Sequence, residues 1–398
     1  MRILFLSRWL PYPPDNGSKL RILGLLTELA REHEISLVSF AGPTERLDDD
    51  GRRALAACCA SVEVVTYPGY RAGSARAVAA LLSPRPRSLV DARSPALLAA
   101  AAAAARGCDL IVASQLDMVP YALALPGPPA LFEELELSQY LDPARRAAGL
   151  PARVRPMLTA LKLGAYLRRA LPRFAACTVV SERERQNLRQ LVPGYSRVSV
   201  IPNALDLSRY QGSFGQPEPN SLVFPGALTY DANRDAAEYF LGSVLPLVAT
   251  AEPAVALRIT GSTAGVDLST LPRHPAARYT GYVPDIRPVV AQSWASVVPL
   301  RLGGGTRLKI LESMALGTPV VATSKGAEGL EATDGQNILI ADDPAAFADK
   351  LVALLRSPEL RERLAAGGRR LVEARYDWRA VGRDLRALVG ATAPARVA

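Results

Sequence analysis

Arg307 and Lys309 stand at the start of an expected helix, directly behind three consecutive glycines, Gly303, Gly304 and Gly305. The amino end of a helix carries the positive pole of its dipole, so cations placed there cost a few tenths of a kcal/mol each, up to about 1. An anion among them reverses that sign. Glycines expose backbone N–H groups that can cradle a phosphate or diphosphate at such a helix start. Arg301 adds a third cation just ahead of the loop. Glu312, three residues beyond Lys309 and on the same helix face, can accept hydrogen bonds from the hydroxyls of a ribose or sugar. The plainer alternative is a tight turn with solvated basic side chains and a Lys309–Glu312 surface pair. Three adjacent glycines exceed what such a turn requires.

The neighbouring elements position this group. Val297, Val298 and Leu300 form a short apolar run, and from Thr306 onward Leu308, Leu311, Met314 and Ala315 recur at helical spacing. Gly317 and Pro319 end the helix, and residues 318–323 begin another strand. The loop therefore falls at the carboxyl end of a strand and the amino end of a helix. The beginning of the chain offers a counterpart. After a strand at 2–7, the segment PPDNG reads as a turn, Ser18 as a cap, and a helix runs to about Arg31, with Gly17 baring backbone before it.

Along the chain, apolar runs at 2–7, 34–40, 62–67, 109–114, 130–134 and 177–181 alternate with helical stretches, and a further strand lies in 197–210. A second alternation has strands at 221–226, 255–261, 277–283, 294–300, 318–323 and 337–341, then helices at 344–356, 358–374 and about 377–389. This is an α/β chain with two doubly wound, Rossmann-like parallel sheets. The strand within 197–210 ends in Pro and Asn and is followed by a polar, Pro-rich stretch, 211–220, where a boundary between domains belongs. Two such domains facing each other put the carboxyl ends of both sheets on one cleft.

At 398 residues the chain exceeds one ordinary core, and 49% hydrophobic with 21% charged residues describes a soluble globular protein. The net charge of +9 is concentrated. Between Arg145 and Arg189 eleven basic residues face only Glu182 and Glu184. Such a face suits an anionic membrane surface or an acidic substrate, or else is a solvated helix. No zinc-finger spacing or interleaving of aromatic and basic residues points to nucleic acid. Cys58, Cys59, Cys108 and Cys177 lack metal-site spacing and do not make a disulfide framework, so the expected compartment is the cytoplasm, with peripheral membrane contact. The alanine-rich run 96–105 is too short to span a bilayer, and no leader segment is visible.

The stretches RWLPYPPDNGSKLRILGLLTELA, VVSERE, VIPNALDLSRY, FPGALTYDANRDAAEYF, GYVPDI and PLRLGGGTRLKILESMALGTPVVATSKGAEGL resemble glycosyltransferase family 4, the retaining, nucleotide-sugar-dependent enzymes of GT-B fold, in a subgroup with a GGGTRLK-type donor loop. The resemblance covers nearly the whole chain. It implies an acceptor-binding domain over 1–203, a nucleotide-sugar-binding domain over 204–375, and a terminal helix over 376–398 that crosses back to the first domain. It implies donor contacts from Gly17, Gly226, Gly281, Tyr282, Val283, Gly303, Gly304, Gly305, Thr306, Arg307, Lys309 and Glu312. Acceptor contacts are implied at Asn16, Arg21, Gln115 and Asp117. The chain departs from the family in two places. Many members carry two glutamates separated by seven residues, and Gly304 stands at the first; Ala204 replaces a common glycine.

His33 and His274 are the two histidines, and neither is expected where a general base belongs. A retaining transferase can use the departing phosphate as base, leaving Arg307, Lys309 and loop amides to stabilise the leaving group. Asp117 would orient the acceptor or cap a helix. The substrates implied are a nucleotide-diphosphate sugar and a glycan, lipid-linked or small-molecule hydroxyl, with no resident cofactor and no metal. The acidic run 47–51 has the form of a metal-binding DxD but reads better as a helix cap. The rivals are a GT-B sugar-nucleotide epimerase, which needs acid/base groups that are scarce here, and a nucleotide-sugar-binding protein without strong catalysis. A dinucleotide oxidoreductase would need glycine where Leu308 stands.

Overall fold

The computed structural model describes residues 1–69, 83–133, 136–146, 149–304 and 307–392. The chain divides into two compact units, Met1–Asn203 with Val381–Ala398, and Ala204–Ala380. Each is a parallel sheet with helical connections, the arrangement that buries runs of β-branched and aliphatic residues on both faces.

In the first unit the strands are β1 (Arg2–Ser7), β2 (Glu34–Ala41), β3 (Ser61–Thr66), β4 (Leu110–Ser114), β5 (Ala130–Glu133), β6 (Ala176–Val179) and β7 (Val198–Val200). Their order is β3-β2-β1-β4-β5-β6-β7. Leu4, Leu6, Phe40, Ile111, Phe132 and Phe174 lie in one buried cluster. The order reverses direction between β1 and β4, so the connections leave a crevice at the carboxyl ends of those two strands. Arg21, expected at an acceptor, is instead wholly buried. Its guanidinium donates to Glu133 Oε1 at 2.8 Å, to Asn203 Oδ1 at 2.9 Å and to the Ile201 carbonyl at 2.9 Å. Ser114 donates to the other Glu133 oxygen at 2.7 Å. A charge buried this deeply is tolerable only when fully paired, and here it ties the Gly17–Leu29 helix to the ends of β4, β5 and β7. Arg21 is a strand-tying residue.

The second unit contains β8 (Glu218–Pro225), β9 (Ala256–Thr260), β10 (Ala277–Gly281), β11 (Ser293–Val298), β12 (Val320–Ala322) and β13 (Leu339–Ile340), in the order β10-β9-β8-β11-β12-β13. The reversal falls between β8 and β11. Ile310, Leu311 and Met314 bury the inner face of the Leu308–Ala315 helix against this sheet. That helix starts two residues later than the apolar spacing suggests, with Arg307 at the capping position and Lys309 in the first turn. In the Trp378–Thr392 helix, Arg386 pairs with Glu28 and Glu32, which fastens its later turns to the Gly17–Leu29 helix.

Candidate functional site: two strand-end crevices

In the second unit three strands end in glycine. Gly226, Gly261 and Gly281 follow or end β8, β9 and β10 with φ of +158°, +109° and +70°. A Cβ on Gly261 would lie 2.5 Å from the Ala227 nitrogen, and one on Gly226 would lie 2.6 Å from Lys309 Nζ. The first methyl would strike backbone and does not fit; the second would push the Lys309 and Asn233 side chains aside, so these glycines let the backbone turns and the ammonium approach one another. Gly261 donates to the Gly281 carbonyl at 2.9 Å and Gly226 to the Thr260 carbonyl at 3.1 Å, which locks the three turns together.

Lys309 Nζ donates to Asn233 Oδ1 at 2.8 Å, and Asn233 Nδ2 donates to the Ala227 carbonyl at 2.8 Å. Burial pulls the lysine pKa down to about 7; the Arg307 guanidinium adds to the fall and Glu312 opposes it. The ammonium is held by a neutral amide, so a nearby anion is the partner that would restore its charge. Arg307 is also buried. It donates to the Gly304 carbonyl at 2.6 Å, to Gly303 at 3.0 Å and to Lys325 at 3.3 Å, holding the glycine loop against the turn after β12. Gly303 has φ +91°, and a Cβ there would meet the Tyr230 hydroxyl at 3.0 Å. Gly305 and Thr306 lie outside the described residues.

Glu312 does not pair with Lys309. Its Oε1 accepts from the Tyr210 hydroxyl at 2.9 Å, and burial raises its pKa against the pull of Tyr210, Lys309 and Arg209. Arg301 is matched by Asp235 through two hydrogen bonds of 2.6 and 3.1 Å. Tyr282 is exposed and Val283 half-buried, just beyond β10. Asn233, Tyr210 and the Lys325–Glu328 ion pair are the residues that sequence reading missed. Asn233 stands inside the quoted stretch FPGALTYDANRDAAEYF, where only its polarity in an alanine-rich helix marks it.

The crevice of the first unit is filled. Arg8, immediately after β1, donates to Asp117 Oδ2 at 3.1 Å across the switch point. Its guanidinium lies 3.4 Å from the Tyr67 ring centroid and 4.3 Å from that of Trp9. Asp117 belongs to a short 3₁₀ turn, Leu116–Met118, rather than a capping position. Burial raises its pKa, while Arg8 and the Ser88 hydroxyl lower it. Gln115, the residue before this turn, has φ +74° and ψ 159°. Asn16 and Gly17 are exposed at the start of the Gly17–Leu29 helix, where Asn16 Oδ1, not Ser18, accepts the Lys19 N–H at 3.1 Å. Asp48 in the acidic run caps its helix as expected.

The histidines serve neither crevice. His33 precedes β2, and burial lowers its pKa. His274 precedes β10 and accepts the Ala276 N–H at 3.2 Å. It lines an open groove of about 910 Å³ with Arg258 and Glu218 at the amino ends of β8 and β9, the opposite end of the sheet from the glycine loop. Among the described residues no cluster of His, Cys, Asp and Glu is arranged to hold a metal, and no helix is long and apolar enough to cross a membrane.

Two doubly wound parallel sheets, one with a glycine-bared cationic crevice at its switch point, define the GT-B class of architecture. Residues 16–204 match the family model described as Glycosyl transferase 4-like domain, and residues 219–357 match Glycosyl transferases group 1. Both halves of the chain are thus glycosyltransferase domains of the GT4 type. The chain is 32% identical over 199 residues to a phosphatidyl-myo-inositol mannosyltransferase of Mycobacterium tuberculosis, covering 46% of this chain and 52% of that one. It is 46% identical over 96 residues to a D-inositol 3-phosphate glycosyltransferase of Frankia alni, covering 23% of each. The chain therefore spans about half or less of the curated relatives it matches. Among solved structures, Anabaena HepE in complex with UDP and glucose superposes with a TM-score of 0.69 at 16% identity, over 98% of this chain and all of that one. A sucrose-phosphate synthase from Thermosynechococcus elongatus gives 0.70 at 16% identity, over 98% and 99%.

Proposed function

We propose that the protein transfers a sugar from a nucleotide-diphosphate sugar to a hydroxyl of a glycan, lipid-linked or small-molecule acceptor, with retention of configuration and without a metal. One observation carries the donor half: Lys309 is a half-buried ammonium whose pKa is pulled down to about 7, set beside Arg307 and against Gly226 at the β8 end of the switch point. That arrangement supports binding of a diphosphate, whose charge raises the lysine pKa and draws a proton back onto it. Glu312, steadied by Tyr210, is suited to accept from the ribose hydroxyls. Gly281, Tyr282 and Val283 are the candidates to lie beside the base.

In the transfer step the bond between the anomeric carbon and the diphosphate oxygen breaks as the acceptor oxygen bonds the same face. The departing phosphate takes the acceptor proton. Lys309 and Arg307 stabilise the charge that develops on it, and the loop amides contribute fixed dipoles. Asp117, held by Arg8, is the candidate to orient the acceptor hydroxyl. The names of the relatives favour a hexose donor and an inositol-bearing acceptor.

Calorimetric titration with UDP, GDP and dTDP, then turnover with sugars of the best nucleotide, tests the reading. The product from an α-configured donor should be α-linked by NMR, and turnover should survive a strong chelator. His33→Ala and His274→Ala should retain most activity. An inverted product, or an isomerised sugar formed without acceptor, would exclude a retaining transferase.

A further inference from the structure

The helix Leu150–Ala170 is amphipathic twice over. Leu163, Leu167 and Ala170 on one side are buried in the core of the first unit. On the opposite side Val154, Met157, Leu158 and Leu161 are 63%, 57%, 49% and 61% exposed. Their spacing of three, four and seven residues sets them on a single stripe. Single exposed apolar residues are ordinary on protein surfaces. A run of four on one helix face is not.

The flanks of the stripe are basic. At about 100° per residue, Arg153 falls on one side and Arg155 and Lys162 on the other, with Arg168 and Arg169 continuing the exposed face. The helix holds five basic residues and no acidic one. Its neighbours differ: in the Ser138–Arg146 helix Asp142 pairs with Arg145 and Arg183, and in the Glu182–Leu191 helix Glu182 pairs with Arg185. Those two helices thus offset part of their positive charge with acidic residues of their own, whereas the helix that bears the apolar stripe has none in its sequence.

We infer that this helix face docks the protein on an anionic lipid surface, with the four apolar side chains entering the headgroup boundary and the arginines and lysine meeting lipid phosphates. A second copy of the chain does not fit, because two such faces would set arginine against arginine. Nucleic acid does not fit either, since the stripe would gain nothing from a phosphate backbone. The inference stands apart from the transfer reaction and needs no acceptor to be lipid-linked.

Sedimentation of the full chain with sucrose-loaded vesicles provides the test. Vesicles of phosphatidylcholine containing about a quarter phosphatidylglycerol should carry the protein down at low salt and release it at high salt, whereas phosphatidylcholine alone should not. Leu158→Ser with Leu161→Ser, at positions already in solvent, should keep the melting temperature and weaken binding by about tenfold or more. Arg153→Gln with Arg155→Gln and Lys162→Gln should weaken binding and flatten its salt dependence. Failure to bind the mixed vesicles at low salt would overturn the inference. So would equal binding by the serine variant, or a self-associated wild type that the serine variant dissociates.

Discussion

The crevice between β1 and β4 and the one between β8 and β11 occupy equivalent places in two sheets of the same topology, yet they are furnished oppositely. In the first, an arginine, an aspartate and two aromatic rings fill the switch point and neutralise one another. In the second, Gly226 lets the Lys309 ammonium approach the end of β8, Arg307 donates to carbonyls of the glycine loop, and Lys309 donates to the amide of Asn233. A parallel sheet provides the location in both cases. The side chains at the strand ends differ: an internal Arg8–Asp117 ion pair under two rings in the first, and glycine with a lysine held by an amide in the second.

Removing the cations of the second crevice should have the largest effect. Charge-assisted hydrogen bonds are worth about 1.5–3 kcal/mol each. Arg307→Ala with Lys309→Ala should therefore weaken nucleotide-diphosphate binding by roughly 100-fold or more. Unchanged affinity in a folded double variant would erase the distinction between the crevices. Asp117→Asn should do the converse, lowering turnover by about tenfold or more while leaving nucleotide affinity within a few-fold. Equal loss of both would mean that the first crevice acts only through stability.

A smaller effect, and a sharper one, comes from pH. The free protein holds Lys309 with a pKa near 7, and a bound diphosphate raises it, so above neutrality binding takes up a proton. Affinity should fall as pH rises from about 7.5 to 9, by at most about tenfold per unit. Lys309→Gln should bind weakly and without this slope, and a wild-type profile as flat as the variant's would remove the proton from the account. The smallest change belongs to Glu312→Gln: a loss of about tenfold for ribonucleotides, and less for 2′,3′-dideoxy analogues. Equal losses would leave Glu312 as a support for Tyr210.

The sequence made the second crevice more legible than the first, for a physical reason. Consecutive glycines followed by cations violate local propensity, and a violation is visible without knowing what packs nearby. The alternation of apolar runs likewise announced both sheets, and the departures were at strand and helix ends. Arg8 carried no such mark. Its role depends on Asp117 and Tyr67, brought beside it by the strand order, which the chain does not spell out locally. Arg21 misled for the same reason: exposed and buried arginines look alike until Glu133 is placed against one of them. Asn233 and Tyr210 were hidden because each acts on a residue more than seventy positions away.

Gln115 carries a longer implication. Its φ of +74° and ψ of 159° fall in a region that glycine occupies almost alone, at a cost of about 1–3 kcal/mol for other residues. Gln115→Gly would relieve that strain and should raise the melting temperature. Selection acting on durability alone would favour glycine there. A collection of thermally hardened variants screened only for heat resistance should therefore drift toward glycine at this position, two residues before Asp117.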